Sequence, residues 1–399
     1  MPRRSTSPSL YSPLVHLYLH VPFCQRRCSY CDFSIAVRKT IPAREYVAAI
    51  QSEIAQENPG SGTGDAGKSF PRYETPTIYF GGGTPSLLPP EAISSLLTSL
   101  LDAFAKRFSS TPPLDAFEVT LEANPEDVTP SAAAVWRKAG VNRISLGSQS
   151  FDDRVLKWMH RVHDASRIGL AVRTLRTAGF ANISLDLIFA LPAELERDWR
   201  RDLVNAIALE PEHLSLYGLT VEERTPLARW VSRGASSAPD DDRYADEYLL
   251  AHERLGLAGY GFYEVSNAAR GDRISRHNSA YWTGKPYRGL GPAAHSFDGR
   301  RRFWNKRAWE DYRKAIKAGE STVESEEVLT PEQEHIERLY LGLRTIQGLP
   351  AAVVPSDRRS AWISAGWAEE SDGNVRLTAD GWLLLDLLVR DLTGSTAIL

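Results

Sequence analysis

The sequence predicts an α/β fold, a partial (β/α)6 TIM-like barrel followed by a small α+β unit of winged-helix-like order. Three observations carry that expectation. Six short runs rich in β-branched, aromatic and aliphatic residues alternate with amphipathic helical segments between residue 14 and about residue 220. The runs are too short and too uniformly apolar for half-solvated strands, and match strands of a parallel sheet covered by helices. The unusual polar residues fall at the C-terminal ends of the runs, where parallel barrels keep their chemistry.

In chain order, Leu14 to Val21 reads as the first strand, halted at Pro22, with a helix over Arg44 to Glu57. A second strand, Thr77 to Phe80, ends in Gly81-Gly82-Gly83-Thr84-Pro85 and leads to a helix through Ala92 to Phe108. Strands at Phe117 to Leu121, Arg143 to Leu146, Ile183 to Ile188 and His213 to Leu216 follow, separated by helices at Pro130 to Ala139, Ala165 to Ala178 and Glu196 to Leu209. Beyond Thr220 the alternation loosens into a polar loop, Ser232 to Asp242, and a helix through Tyr244 to Leu257. A C-terminal unit then shows helix, helix, strand and helix at Glu332 to Ile346, Ala361 to Gly366, Val375 to Leu377 and Ala379 to Leu392. The expected divisions are a flexible N-terminus over 1–13, a barrel over 14–235, a barrel extension over 236–327 and the winged-helix-like unit over 328–399.

The 399 residues, 42% of them hydrophobic, suffice for a substantial core, and a net charge of −3 gives no global attraction for nucleic acid or anionic membrane. Acidic Glu369, Glu370 and Asp372 in the turn region of the last unit speak against DNA binding, so no nucleic-acid partner is expected. No apolar targeting core follows Arg3 and Arg4, and no stretch reaches membrane-spanning length, so a cytoplasmic address is expected. Gly62-Thr63-Gly64-Asp65-Ala66-Gly67-Lys68-Ser69 matches a phosphate-binding loop in letters. It lacks the strand before and the helix after that such a loop needs, and reads as a surface loop.

All three cysteines stand in Cys24-x-x-x-Cys28-x-x-Cys31, at the end of the first strand. Thiolates so crowded suit an iron–sulfur cluster, and three ligands for a four-iron [4Fe–4S] cubane leave one iron open to S-adenosylmethionine. The competing metal is zinc, which would recruit a fourth ligand such as His20 or Asp32. Unconnected core cysteines are a poor account of an interval reading Gln25-Arg26-Arg27.

Other strand ends add a bare-backbone glycine triplet, Glu122 in Leu121-Glu122-Ala123-Asn124-Pro125, Gln149 in Gly147-Ser148-Gln149-Ser150, and Asp186 in Leu185-Asp186-Leu187. A carboxylate inside an apolar strand needs a partner, and Asp186 is expected to face either a ligand or Arg161. Two histidine-bearing segments are read as lying outside the barrel core. In Arg276-His277-Asn278-Ser279-Ala280-Tyr281-Trp282 and Gly289-Leu290-Gly291-Pro292-Ala293-Ala294-His295-Ser296, imidazoles among aromatics are compatible with haem or with simple core packing.

Together, Tyr18-x-His20-Val21-Pro22-Phe23-Cys24-x-x-x-Cys28-x-Tyr30-Cys31, Gly81-Gly82-Gly83-Thr84-Pro85, Gly147-x-Gln149-Ser150 and Asp186-Leu187-Ile188 resemble the radical S-adenosylmethionine (SAM) proteins of the coproporphyrinogen oxidase-like group. The similarity runs from Leu17 to about Leu392, and His277-Asn278-x-x-Tyr281-Trp282 is similar to the signature of haem chaperones within the group. The resemblance implies a radical SAM barrel with the group's C-terminal domain, and a [4Fe–4S] cluster on Cys24, Cys28 and Cys31. It assigns SAM contacts to Tyr18, Tyr30, Gly82, Gly83, Thr84, Glu122, Gln149, Arg161 and Asp186, and haem contacts to His277, Tyr281 and Trp282. It also implies a haem-accepting partner, respiratory in the simplest case, and an electron donor to the cluster, and is compatible with an oligomer. Oxidases of the group carry a longer segment before the cluster and a further cysteine where this chain has Phe33. Ala190-Leu191-Pro192-Ala193-Glu194 has alanines where relatives show glycines. The expected function is therefore haem chaperoning, with oxygen-independent coproporphyrinogen III oxidation or radical SAM methylation as the alternative, which leaves the enzyme question open.

Overall fold

The structure, a computed structural model, describes residues 15–57, 75–107 and 113–394. The expectations for residues 1–13 and for the Gly62–Ser69 loop lie outside the described residues. Six parallel strands form from the apolar runs: β1 (His16–Val21), β2 (Thr77–Gly82), β3 (Glu118–Ala123), β4 (Arg143–Gln149), β5 (Ile183–Phe189) and β6 (His213–Gly218), adjacent in that order. The chain returns between them through α1 (Ala43–Glu57), α2 (Pro90–Arg107), α3 (Pro130–Ala139), α4 (Ala165–Thr177) and α5 (Trp199–Ala208). Leu19, Ile78, Phe80, Val119, Leu121, Ile144, Leu146 and Leu185 are fully buried between sheet and helices. Each contributes about 1.5–3 kcal/mol by leaving water.

Helix starts follow from capping chemistry. The side chains of Thr129, Asp164 and Asp198 accept hydrogen bonds from the backbone N–H groups of Ala132, Arg167 and Arg201. The Asp198 cap explains why α5 begins at Trp199 and not at Glu196, which sits in the left-handed region at φ 47°. β2 to β6 each run one to three residues past their expected ends, because the residues beyond them, most of them small or polar, still pair with neighbouring strands.

After α6 (Asp241–Leu257), β7 (Gly261–Glu264) pairs antiparallel with β8 (Asn267–Ala269), which itself adds antiparallel to β6. α7 (Arg276–Trp282) follows, and β9 (Arg288–Leu290) pairs parallel with the opposite edge, Leu19 opposite Leu290. The sheet is thus nine-stranded, with order β9-β1-β2-β3-β4-β5-β6-β8-β7. This corrects the placing of both histidine segments outside the barrel core: β9 belongs to the main sheet, and His277 of α7 stacks on Tyr79 of β2 with ring centroids 4.9 Å apart. A three-residue strand reading Arg-Gly-Leu is too short to show a period.

β10 (His295–Phe297), β11 (Arg301–Asn305) and β12 (Val323–Val328) form a separate antiparallel sheet, with α8 (Trp309–Ala318) between the last two. The C-terminal unit contains α9 (Pro331–Arg344), β13 (Leu349–Pro350), α10 (Ser356–Ser364), β14 (Ala368–Ser371), β15 (Asn374–Leu377), α11 (Ala379–Leu383) and α12 (Leu385–Thr393). The single final helix of the sequence reading is broken at Leu384, and β14 goes unseen in sequence because Glu369 and Glu370 mask it. Arg344 ties this unit to the sheet, pairing with buried Glu264 at 2.7 Å while its guanidinium lies 4.1 Å above the Trp282 ring. No helix among the described residues is long and apolar enough to cross a membrane.

Candidate cluster and cofactor site

Pro22 ends β1 and turns the chain into the cysteine loop, which closes on itself: the Ala36 N–H donates to the Pro22 carbonyl at 2.6 Å and the Arg38 N–H to the Cys24 carbonyl at 3.0 Å. Ser29 pins the far side, its N–H donating to the Met159 carbonyl at 3.2 Å and its own carbonyl accepting from the Leu227 N–H at 2.8 Å. Cys24 lies against the Thr84 hydroxyl at 3.4 Å, and the Arg161 guanidinium reaches the Cys28 sulfur at 3.6 Å. Burial pushes the Cys24 thiol up to about 11 and the Cys31 thiol up to about 12, so metal uptake must release protons from both. Among the described residues no three Cys, His, Asp or Glu side chains converge as ligands of a single ion. His20, the fourth zinc ligand considered above, is occupied, with Nδ1 at 3.0 Å from the Tyr18 hydroxyl and Nε2 donating to the Ser34 carbonyl at 3.2 Å.

The glycine triplet faces the cysteines because β1 and β2 are in register, Val21 opposite Gly82. Gly82 adopts φ 110°, and a Cβ there would strike the His20 ring at 2.7 Å. A Cβ on Gly83 would lie 2.8 Å from the Phe23 carbonyl oxygen and 3.0 Å from the Cys24 sulfur. The bare backbone therefore makes room first for the cysteine loop itself.

Glu122, Gln149 and Asp186 reach the same space from β3, β4 and β5. Glu122 accepts from the Tyr79 hydroxyl at 2.9 Å and the Gly82 N–H at 3.1 Å. Gln149 follows a bulge between β4 and β5 and sits at φ 66°, a left-handed conformation costly for a non-glycine residue and suited to re-aiming a side chain. Asp186 accepts from the Ser145 hydroxyl at 3.0 Å and the Ser184 hydroxyl at 3.4 Å. The expected Asp186–Arg161 pair does not form. Arg161 donates instead to Asn124 Oδ1 at 2.5 Å and the Gly147 carbonyl at 2.9 Å.

These side chains line a cavity of about 470 Å³ that also receives the three cysteines, Tyr30 and Thr84. Tyr18 is the exception among the expected SAM contacts: it lines a different cavity, on the His20 side of the strand. Asn124, Glu126 and Tyr217 line the cysteine cavity without having been singled out in sequence, although Tyr217 obeys the same rule of lying at a strand's C-terminal end. Acids (Asp32, Glu122, Glu126, Asp186, Glu222) outnumber the arginines Arg26 and Arg161 on the wall, a balance that favours a cationic ligand. Arg161 Nε is buried without a partner among the described residues, a donor suited to a ligand carboxylate. Three thiols, an acid-rich wall and one unspent guanidinium donor fit a cluster and an amino acid carrying a sulfonium.

Burial, reinforced by the charge of Asp186, pushes Glu122 up to about 7. A carboxyl that holds its proton more tightly folded than unfolded makes the protein less stable as pH rises from about 4.5 to about 7. The carboxylate faces a cavity, so the expected loss is discounted to about 1–2 kcal/mol. Urea unfolding of the cluster-free protein across that range should show a slope that flattens in Glu122→Gln. Parallel profiles for the two proteins would contradict the assignment.

His277 is placed quite differently from these groups. It is 1% exposed, with Nδ1 at 2.7 Å from the Thr77 hydroxyl and Nε2 at 2.7 Å from the Tyr281 hydroxyl. Its backbone N–H donates to Glu118 at 2.9 Å. Both ring nitrogens are thus hydrogen-bonded to neighbouring hydroxyls, and the ring stacks on Tyr18 and Tyr79, whereas Tyr281 and Trp282 line the same cavity as Tyr18.

The fold and the cysteine-bearing cavity are those of a radical SAM protein, and a model of the radical SAM superfamily matches residues 18–204. The heme chaperone HemW of Mycobacterium tuberculosis is 37% identical over 95% of this chain and 94% of its own. The heme chaperone HemW of Bacillus subtilis is 33% identical over 83% of this chain and 84% of its own. In structure, the chain is similar to the coproporphyrinogen III oxidase HemN of Escherichia coli, with a TM-score of 0.76, 21% identity, and coverage of 95% and 90% of the two chains. The chain belongs to the HemW family of radical SAM proteins.

Proposed function

We propose that this protein is a haem chaperone that carries a [4Fe–4S] cluster and SAM and passes haem to an acceptor protein. Its similarity to heme chaperones over most of their length and the His-Asn-x-x-Tyr-Trp segment support the haem part. The observation that carries the cofactor part is the convergence of Cys24, Cys28 and Cys31 with Gly83, Glu122, Arg161 and Asp186 on one cavity. The cysteines would hold the cluster. Glu122 and Asp186 would receive the ammonium and sulfonium side of SAM, and Arg161 its carboxylate. When bound, the cluster supplies the electron that can cleave SAM reductively. The chain's own residues would orient the ligand.

The acceptor, the electron donor and a cytoplasmic location complete the proposal, with no role for nucleic acid. After anaerobic reconstitution the protein should bind haemin saturably and form no stoichiometric product from coproporphyrinogen III, with 5′-deoxyadenosine measured beside it. Turnover of coproporphyrinogen coupled to 5′-deoxyadenosine would overturn the chaperone reading in favour of an oxidase.

A further inference from the structure

The two strands that bring Gln149 and Asp186 to the cofactor cavity both leave the sheet through a strained residue. β4 ends at Gln149, at φ 66°, and β5 is followed at once by Ala190, at φ 56°. Left-handed backbone is costly for any residue with a Cβ, and Ala190 stands where relatives show a glycine that would adopt it freely. Such conformations persist only where the surrounding structure holds them.

What holds them is a buried ion cluster behind the cavity wall. The Asp202 carboxylate, on α5, accepts from the Ser150 hydroxyl at 2.7 Å and the Phe151 N–H at 2.8 Å, the two residues that follow Gln149. The Glu247 carboxylate, on α6, accepts from the Ala190 N–H at 2.7 Å. Arg197 joins the two, one arm of its fully buried guanidinium reaching Asp202 at 3.2 Å and the other Glu247 at 2.9 Å. The guanidinium lies 4.5 Å above the Trp199 ring, whose indole N–H donates to the Glu247 carbonyl at 2.8 Å. Arg243 adds a second positive charge on Glu247 at 3.0 Å, so two acids face two guanidinium groups.

Gln149, Asp186 and Ile188 line the cavity, whereas Arg197 and its two carboxylate partners stand behind that wall. Stability is not a sufficient account of them, because a buried ion pair adds little over an apolar replacement of similar volume. What the four charges provide is geometry. β4 and β5 meet across a bulge with Gln149 opposite Leu187, and the cluster ties down the chain just beyond both strand ends. A forked guanidinium suits that task, since it sets two carboxylates at a fixed separation.

We infer that Arg197 is a positioning residue for the cofactor: through Asp202 and Glu247 it fixes the ends of β4 and β5, and with them the aim of Gln149 and Asp186 at SAM. The inference rests on the reading that this cavity holds SAM. It also accounts for Ala190. Its left-handed backbone is kept in place by the Glu247 carboxylate, which Arg197 holds in turn, so this chain depends on the clamp more than it would with glycine there.

The test uses the full chain with its cluster reconstituted anaerobically, and measures SAM affinity by equilibrium dialysis beside iron and acid-labile sulfide. Arg197→Lys keeps the charge as a single point that cannot fork to both carboxylates. It should weaken SAM binding by about tenfold, with cluster content and far-UV circular dichroism unchanged. Adding Ala190→Gly to Arg197→Lys should recover about threefold of that loss, because glycine holds the β5 exit without help. Asp202→Asn loosens only the β4 side. It should weaken SAM binding and gain nothing from Ala190→Gly, and it decides the question if Arg197→Lys does not fold. SAM affinity within about twofold of wild type in either variant, or a loss in Arg197→Lys that tracks cluster content and ignores Ala190→Gly, would overturn the inference and leave the cofactor reading standing. Failure of wild type to bind SAM would overturn both.

Discussion

Replacing Gly83 with alanine is expected to abolish cluster assembly while the barrel still folds. The added Cβ would sit 2.8 Å from the Phe23 carbonyl oxygen, 3.0 Å from the Cys24 sulfur and 3.0 Å from the Pro22 carbonyl carbon. None of these can step aside cheaply. The Phe23 ring is fully buried between Tyr46 and Trp309, both with centroids 5.5 Å away, and Pro22 and Cys24 accept the two hydrogen bonds that close the loop. Overpacking of this kind costs about 1–3 kcal/mol, tolerable for a barrel with this core. A cluster site, in contrast, needs its thiolates placed to within about 0.5 Å. Iron and acid-labile sulfide after anaerobic reconstitution should fall to near background, with far-UV circular dichroism unchanged. Gly256→Ala, at a helical glycine with open space around its Cβ position, serves as the control and should leave both readouts intact. Full cluster content in Gly83→Ala would show that the loop can yield, and that the glycine serves the ligand instead of the loop.

The contrast between Gly83 and its neighbours shows what could be read from sequence. The six strands, five connecting helices and cysteine loop were legible because each is written locally, in an apolar run, a capping residue or a spacing. The same locality set the errors. The apolar runs stop short of the strand ends because residues such as Gly82, Glu122 and Gln149 lie beyond the hydrophobic pattern, yet these residues mark where the cofactor cavity lies. Asp186 could be seen to need a partner, but the partners are serines on β4 and β5, and a serine in an apolar run carries no signal of what it faces. His277 drew attention through its aromatic neighbours. Those neighbours line a cavity wall, whereas the histidine one turn earlier on α7 is buried against Tyr18 and Tyr79, a difference that a sequence does not display.

Glu53 is the sharpest case of a residue silent in sequence, and Glu53→Ala is expected to be the most destabilising single change around β9 and β11. It lies in α1, in a stretch that reads as an ordinary helix, yet it is 2% exposed. Its carboxylate accepts from the Gly291 N–H at 2.8 Å, Asn305 Nδ2 at 2.6 Å and the Tyr312 hydroxyl at 2.6 Å, with Arg288 at 3.8 Å. One side chain from the first helix thus gathers β9, β11, α8 and the glycine turn that leads into His295. Removing it leaves a buried guanidinium, an amide, a hydroxyl and a backbone N–H without their common acceptor, a loss of about 3–5 kcal/mol. Glu53→Gln should recover part of this, since its amide oxygen keeps one acceptor while its NH₂ faces donors. Because the damage is centred on residues 288–305, amide hydrogen exchange should rise there first, while β2 over Thr77–Gly82 stays protected. Cluster content should hold, because Glu53 makes no hydrogen bond to the cysteine loop. A uniform loss of protection across both regions would mean that α1 and the extension unfold as one body, and that Glu53 supports the whole barrel and not residues 288–305 in particular.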